Sequence, residues 1–186
     1  MPTDQPLPIR LAQTLGITTS LLLAGSTLST SLTTIPRLLE SPPTLLLQQW
    51  GHMYDVGRKT GPPVACVASV SFFWLAWRAR LESGVRAVSD VVGTRGRGRV
   101  WIYSIAGILS IGIIPYTFAV IMGTNRKLLR KVEVTRLVEL SREDLLEQKD
   151  SERSAHQLVD WWGVLNLGRG VMLAVSGGLG VWAALG

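Results

Sequence analysis

Four stretches of the chain are apolar and long enough to form membrane-spanning helices. They lie at residues 11–35, 62–79, 100–123 and 161–185. A helix needs about 20 mainly apolar residues to cross the hydrocarbon core of a bilayer. The third stretch contains no charged residue, and the fourth contains one, Arg169. The pattern predicts an all-α fold, an integral membrane four-helix bundle in which residues 1–186 form a single membrane domain.

The first stretch also has features of a cleaved signal peptide. Leu21 to Gly25 resembles the apolar region of such a peptide, and small residues follow it. The segment before it holds one Arg, one Asp and three prolines and is not clearly basic, which favours a span that is retained.

The segment between the third and fourth stretches is predicted to be a helical extension. Residues 124–160 hold eight Lys/Arg and eight Asp/Glu, and apolar residues recur at near-helical spacing from Leu128 to Leu140. The third helix should therefore continue beyond its apolar part. Ser141-Arg-Glu-Asp144 resembles a capping box, so a second helix is expected to begin near Arg142 and to run into the fourth span.

A glycine-rich motif lies between the second and third stretches. Gly93-Thr-Arg-Gly-Arg-Gly98 superficially echoes a dinucleotide-binding fingerprint. No strand precedes it, so it is predicted to be a flexible basic turn and not a nucleotide site.

Composition supports a membrane protein and narrows its partners. Hydrophobic residues make up 47% of the chain and charged residues 17%, below the roughly 25% of soluble domains. The net charge is +6, but the charges are not arranged as a basic groove for nucleic acid. Seven tryptophans suit the headgroup level of a bilayer, so lipid is an expected partner and nucleic acid is not. The single cysteine, Cys66, excludes an internal disulfide framework.

Polar residues gather at one predicted membrane face. Four spans place both termini on one face, so the connections around 36–61 and 124–160 share the opposite face. Both histidines of the chain lie at this second face, whereas the terminal face offers mainly Arg and Gly. The polar residues there are His52, Tyr54, Asp55, Arg58, Asn125, Arg126, His156, Asn166 and Arg169. The sequence therefore predicts the functional site at this face.

Arg169 is the most informative of these residues. It lies eight residues into the fourth predicted span, roughly 12 Å along the helix axis, where a charge costs about 2.5–3.5 kcal/mol on insertion scales. Asn166 and Trp162 share its helix face. Such a charge usually faces the bundle interior or a wet cavity, which favours a site. The alternative is that Arg169 snorkels and Asn166 makes a helix–helix hydrogen bond.

His52 and His156 are the candidates for a general base near neutral pH, although each also fits an interfacial surface histidine. Asp55 lies three residues from His52, and Asp160 lies four from His156. Two histidines without a nearby cysteine or further spaced carboxylates make a weak metal site. Neither histidine lies inside a span, which disfavours a haem with two axial histidines. No metal ligand is therefore predicted.

Three segments resemble those of a known family. Trp50-Gly-His-Met-Tyr-Asp-Val-Gly57, followed by two prolines, resembles a W-x-x-x-Y-x-x-G…P segment. Ile114-Pro-Tyr-Thr-Phe, followed by Gly123-Thr-Asn-Arg-Lys-Leu128, resembles a P-[FY]-T…T-N-x-x-L segment. Leu158-Val-Asp-Trp-Trp-Gly-Val-Leu-Asn-Leu-Gly-Arg169 resembles an L-V-x-x-W…N-x-x-R segment. Together they are similar to the fungal anthrone oxygenases, small four-span membrane proteins of polyketide and secondary-metabolite biosynthesis. The resemblance covers roughly residues 45–180.

The resemblance implies a monooxygenase-type oxidoreductase that oxidises an anthrone to an anthraquinone. Dioxygen is the co-substrate and no cofactor is expected, because the protein has to supply only a base, an oxyanion stabiliser and a dry pocket. Catalytic roles are expected for His52 as base, Tyr54 beside it, and Asn166 and Arg169 as oxyanion stabilisers. The expected substrate-binding residues are Asn125, His156, Trp161 and Trp162.

Two other classes stay open at this stage. A non-catalytic membrane scaffold or binding protein would hold a lipophilic pathway intermediate, with the 124–160 segment as its docking surface for other pathway enzymes. A small transporter is less well supported, because the four spans show no obvious inverted repeat. An internal membrane such as the endoplasmic reticulum is the expected location.

Overall fold

The computed structural model describes residues 5–86, 93–140 and 147–185. The regular elements of this part of the chain are all helical, which confirms the predicted all-α class. They are α1 (Leu7–Ser29), a π-helical segment (Thr30–Thr34), α2 (Ile35–Leu38), α3 (Pro43–Arg86), α4 (Gly93–Tyr116), a second π-helical segment (Thr117–Ile121), α5 (Met122–Leu140) and α6 (Glu147–Leu185).

In the part of the chain that the structure describes, four helical runs are long and apolar enough to cross a membrane, so the predicted four-span membrane protein is confirmed. They are Leu7–Leu38, Pro43–Ser83, Gly98–Leu137 and Ala155–Leu185. Each is longer than the corresponding predicted stretch. The third runs on into the charged part of α5, as the predicted helical extension requires.

The second span begins earlier than predicted. The predicted start near residue 62 is wrong, because Pro62 and Pro63 lie inside α3, which starts at Pro43. A proline removes one backbone N–H and crowds the carbonyl four residues earlier, but membrane helices tolerate this where other groups satisfy the freed carbonyls. His52 and Tyr54 therefore lie on a helix and not in a loop.

One other boundary also differs from the sequence analysis. The predicted turn at Gly93–Gly98 is wrong, because these residues belong to α4. Arginine is a good helix former, and a helical glycine costs only about 1 kcal/mol relative to alanine, so the helix extends through the motif. The capping motif Ser141–Asp144 and the predicted helix start near Arg142 lie outside the described residues, and α6 is described from Glu147.

The structure forms two compact units, of which the first comprises Met1–Gly25, Gly61–Ile114 and Val171–Gly186. Its interior is held by hydroxyl groups that bond across helices. The Ser69 hydroxyl donates to the Gly107 carbonyl oxygen at 3.0 Å, and the Ser176 hydroxyl donates to the Ala106 carbonyl oxygen at 2.7 Å. Bonds of this kind satisfy polar groups where no water is available. None of the predicted site residues belongs to this unit.

The second unit comprises Ser26–Thr60 and Pro115–Gly170, and it contains all the predicted site residues. Parts of α1, α3, α4 and α6 contribute to it, together with all of α2, α5 and both π-helical segments. Its buried hydrophobic residues are Ile35, Leu46, Leu47, Trp50, Ile121, Leu128, Ala155, Val159 and Trp162. Two large indole rings are therefore part of this core.

Candidate active site

An aromatic cluster forms the centre of the second unit. The rings of Trp50 and Tyr54 are stacked, with centroids 5.1 Å apart and an interplanar angle of 15°. Trp162 meets Trp50 edge-on at 5.8 Å and 89°. Trp50 and Tyr54 are four residues apart on α3, so a helix places them on the same face. The cluster joins α3 to α6 by aromatic packing.

Asn125 fixes one member of this cluster. The Trp162 indole N–H donates to Asn125 Oδ1 at 2.8 Å, and the Asn125 side chain is only 1% exposed. A buried amide and a buried indole each need a hydrogen-bond partner. This bond satisfies both groups and determines the orientation of the indole of Trp162.

Asn166 and Arg169 form a second polar group on α6. Arg169 Nη1 donates to Asn166 Oδ1 at 3.3 Å. The Asn166 amide nitrogen donates to the Ser31 hydroxyl at 3.0 Å and to the Thr27 carbonyl oxygen at 3.3 Å. Asn166 is 2% exposed, so α1 holds this amide and the amide in turn orients the guanidinium.

Local backbone geometry brings Ser31 to this position. Ser31 lies in the π-helical segment Thr30–Thr34, which is closed by a bond from the Ile35 N–H to the Thr30 carbonyl oxygen. Pro36 follows directly and cannot donate to the helical ladder, so the regular α-helical pattern is interrupted here. Single π-helical turns are frequent at functional sites. Here the turn carries the hydroxyl group that holds Asn166.

Tyr116 packs against the part of α6 that carries Arg169. Its hydroxyl donates to the Leu165 carbonyl oxygen at 3.0 Å, and it packs directly against Gly168, where a methyl group would collide with it. Tyr116 is therefore fixed against α6, beside the residue that precedes Arg169.

Among the described residues of this unit, two buried side-chain donors have no hydrogen-bond acceptor. They are the indole nitrogen Nε1 of Trp50 and the Nε atom of Arg169. A cation and N–H groups inside an apolar interior are suited to stabilising negative charge that develops on an oxygen atom. The flat aromatic rings beside them suit a flat aromatic molecule. Among the described residues, there is no group of three or more His, Cys, Asp or Glu side chains that could hold a metal ion.

Comparison with known proteins assigns the family. The family described as anthrone oxygenase matches residues 50–179. The chain belongs to the anthrone oxygenase family. The family resemblance drawn from the three sequence segments is thus confirmed. The match begins at Trp50, the indole at the centre of the aromatic cluster.

Curated relatives of the family extend the similarity over most of the chain. The anthrone oxygenase encC of Aspergillus fumigatus is 28% identical over 183 residues, which cover 94% of this chain and 93% of that protein. The anthrone oxygenase AgnL2 of Paecilomyces divaricatus is 28% identical over 179 residues, covering 92% and 96%. The noranthrone monooxygenase of Aspergillus flavus is 27% identical over 175 residues, covering 89% and 71%. No solved structure is significantly similar to the chain.

The structure brings five of the eight predicted site residues of this family member together. Asn125 and Trp162 are bonded to each other, as are Asn166 and Arg169. Tyr54 stacks on Trp50, which in turn packs against Trp162. Trp50 belongs to the same group but was not among the predicted site residues. Its four-residue spacing to Tyr54 in the W-x-x-x-Y segment was the signal that would have found it.

The other three predicted site residues lie elsewhere. His52 is exposed, because it follows Trp50 by two residues and an α-helix turns about 200° over that distance. Trp161 is 54% exposed and lies about 100° from Trp162 around α6. The His156 Nε2–H donates to the Ser41 carbonyl oxygen at 3.2 Å, which connects α6 to the segment after α2.

Proposed function

We propose that this protein is a membrane anthrone oxygenase, which oxidises a polyketide-derived anthrone to the anthraquinone with dioxygen. Family membership supports the reaction class, as do the names of the relatives, anthrone oxygenase and noranthrone monooxygenase. The observation that carries the proposal is the partly buried guanidinium of Arg169, held by Asn166 at 3.3 Å. Asn166 lies four residues from Trp162 on α6, and Trp162 packs edge-on against Trp50.

The reaction needs few protein groups. A base removes a proton from the methylene carbon of the anthrone, and the negative charge is delocalised onto the carbonyl oxygen across the ring. The electron-rich anion reduces dioxygen, and a carbon–oxygen bond forms at the same carbon to give a peroxide. Loss of water from the peroxide leaves the second carbonyl. One anthrone and one dioxygen are thus converted into one anthraquinone and one water.

Arg169 is proposed to stabilise the anionic oxygen of the substrate. Its charge lies in the span Ala155–Leu185, 14 residues past Ala155, or about 21 Å along the helix. A charge in such a position is retained where it has a partner or a function. Asn166 positions the guanidinium through Oδ1, and its own amide nitrogen is held by α1.

The geometry favours Tyr54 over His52 for the proton transfer. Tyr54 stacks on Trp50 within the aromatic cluster, whereas the imidazole of His52 is exposed on another face of α3. The predicted role of His52 as base therefore stays a prediction without structural support. General bases must lie within hydrogen-bonding reach of the proton that they remove.

The reaction is proposed to proceed without metal, haem or flavin, because the substrate anion itself reduces dioxygen. An apolar three-ring substrate partitions into lipid, so an internal membrane such as the endoplasmic reticulum is the proposed site of action. Enzymes that supply the anthrone would then work at the same membrane.

The deciding experiment is dioxygen uptake by purified protein in detergent with anthrone as substrate. We expect one dioxygen consumed for each anthraquinone formed, above the rate without protein, both before and after treatment with chelator and gel filtration. Anthrone oxidation no faster than in detergent alone would refute the proposed function. Loss of activity with the chelator, restored by iron or copper, would refute only the cofactor-free mechanism.

A further inference from the structure

The N–H group of the Trp50 indole has no hydrogen-bond acceptor in the structure. Its side chain is 0% exposed, and Nε1 has no hydrogen-bond partner. The other such atoms among the described residues are Nε atoms of Arg78, Arg99 and Arg169, and a guanidinium has further N–H groups. An indole has a single donor, so at Trp50 the whole hydrogen-bonding capacity is unused. Leaving a buried donor unpaired destabilises the folded protein.

The neighbours of Trp50 show that this donor is unusual in its own cluster. Trp162 packs edge-on against Trp50, yet its indole N–H has a partner in Asn125. Asn166 has partners at both ends of its amide, and the Tyr116 hydroxyl donates to a backbone carbonyl. Of the two indoles in this cluster, Trp162 therefore has a hydrogen-bond acceptor and Trp50 has none.

We infer that the Trp50 N–H binds a carbonyl oxygen of the planar aromatic ketone, and that it is a substrate-binding residue of this enzyme. The inference rests on the proposed function. A ketone oxygen would supply the missing acceptor, and the Tyr54 ring that stacks on Trp50 offers a flat aromatic surface beside the unpaired donor. A donor of this kind also confers selectivity, because a ligand without the oxygen leaves it unpaired.

The test compares two probes that have the same shape and are not turned over. Anthraquinone has carbonyl oxygens and anthracene has none. For wild-type protein in detergent, we expect anthraquinone to bind more tightly than anthracene. Trp50→Phe keeps an aromatic ring but removes the N–H, so it should weaken anthraquinone binding about three- to tenfold and change anthracene binding less than twofold.

Trp182→Phe is the matched control. It removes an exposed indole of the first unit, away from the candidate site, so the two probe affinities and their ratio should stay as in wild type. If Trp50→Phe weakens both probes equally, or neither, the inference is overturned.

A measurement on wild-type protein covers the case in which Trp50→Phe fails to fold. The N–H-sensitive Raman band of one tryptophan should shift when anthraquinone binds and should not shift with anthracene; identical spectra with the two probes would overturn the inference. Because both tests are made without turnover, their result is separable from the proposed reaction. Protein that binds anthraquinone through Trp50 but consumes no dioxygen with anthrone would refute only the proposed function.

Discussion

At the residue scale, Arg169 is the side chain on which the proposed chemistry depends most. Arg169→Gln removes the charge but keeps a polar group that Asn166 can contact. If the guanidinium stabilises the substrate oxyanion, turnover should fall on the order of 100- to 1000-fold, as when one oxyanion donor is lost. Arg169→Lys retains the charge without the planar fork, so it should recover part of this loss. The measurement is anthraquinone formation, with melting in detergent recorded beside it.

Arg126→Gln is the control for that charge removal. Arg126 is exposed on α5, next to Asn125 in sequence, and it should show turnover within about twofold of wild type. If Arg169→Gln behaves like this control, then Arg169 only snorkels and has no role in the reaction.

Tyr54 and His52 give a second test at this scale, because they lie two residues apart on α3 and face different directions. Tyr54→Phe keeps the stacked ring and removes the hydroxyl, so turnover should fall at least tenfold with little change in melting temperature. His52→Gln changes an exposed side chain and should leave turnover near that of wild type. The opposite result, an inactive His52→Gln and an active Tyr54→Phe, would return the role of base to His52.

How far the sequence alone predicts the site is clear from these same residues. The Asn166–Arg169 pair was predictable, since a charge inside an apolar helix needs a partner and residues three apart share a face. His52 has the chemistry of a base, but a segment predicted to be a connection between spans does not indicate which way its side chains face. A buried indole usually serves packing, so the sequence does not indicate the role of Trp50; only the structure shows that its N–H is unpaired.

At the scale of the helices, α6 carries glycines where other elements come close. Gly168→Ala would place a methyl group against the Tyr116 hydroxyl, which must then move away from the Leu165 carbonyl oxygen. Overpacking of this kind costs about 1–3 kcal/mol, so the melting temperature and turnover should both fall. Gly178→Ala is the control on the same helix, because a methyl group there meets nothing within 4 Å. Equal melting of the two variants would contradict this packing.

The boundaries of these helices were harder to predict than their existence. Hydropathy identifies four spans, but it marks where apolar residues begin and not where the helix begins. Pro62 and Pro63 looked like a helix start, whereas α3 passes through both. Neither π-helical segment is predicted by the sequence. Such a turn arises where a residue such as Pro36 lacks a backbone N–H, or from packing, and it has no characteristic spacing of residues in the sequence.

At the scale of the whole molecule, the four spans arrange the chain so that the candidate site is built from distant segments. The second unit takes residues from 26–60 and from 115–170. The candidate site can therefore form only if successive spans cross the membrane in opposite directions. With four crossings, the connection before α3 and the end of α5 must lie on one side of the membrane. The end of α3 must lie on the other.

This alternation can be measured with single cysteines, because Cys66 is the only native one. In a Cys66→Ser background, Glu40→Cys and Arg136→Cys place a thiol at exposed positions before α3 and late in α5, and Arg80→Cys places one near the end of α3. In sealed vesicles, a membrane-impermeant maleimide should label Glu40→Cys and Arg136→Cys from the same side. Arg80→Cys should be labelled only from the other side, or after the vesicles are opened with detergent. This expectation is independent of which side is cytoplasmic, because it rests on the number of crossings alone. Labelling of all three from one side would contradict the four-span arrangement, and with it the assembly of Arg169, Asn166 and Tyr54 into one site.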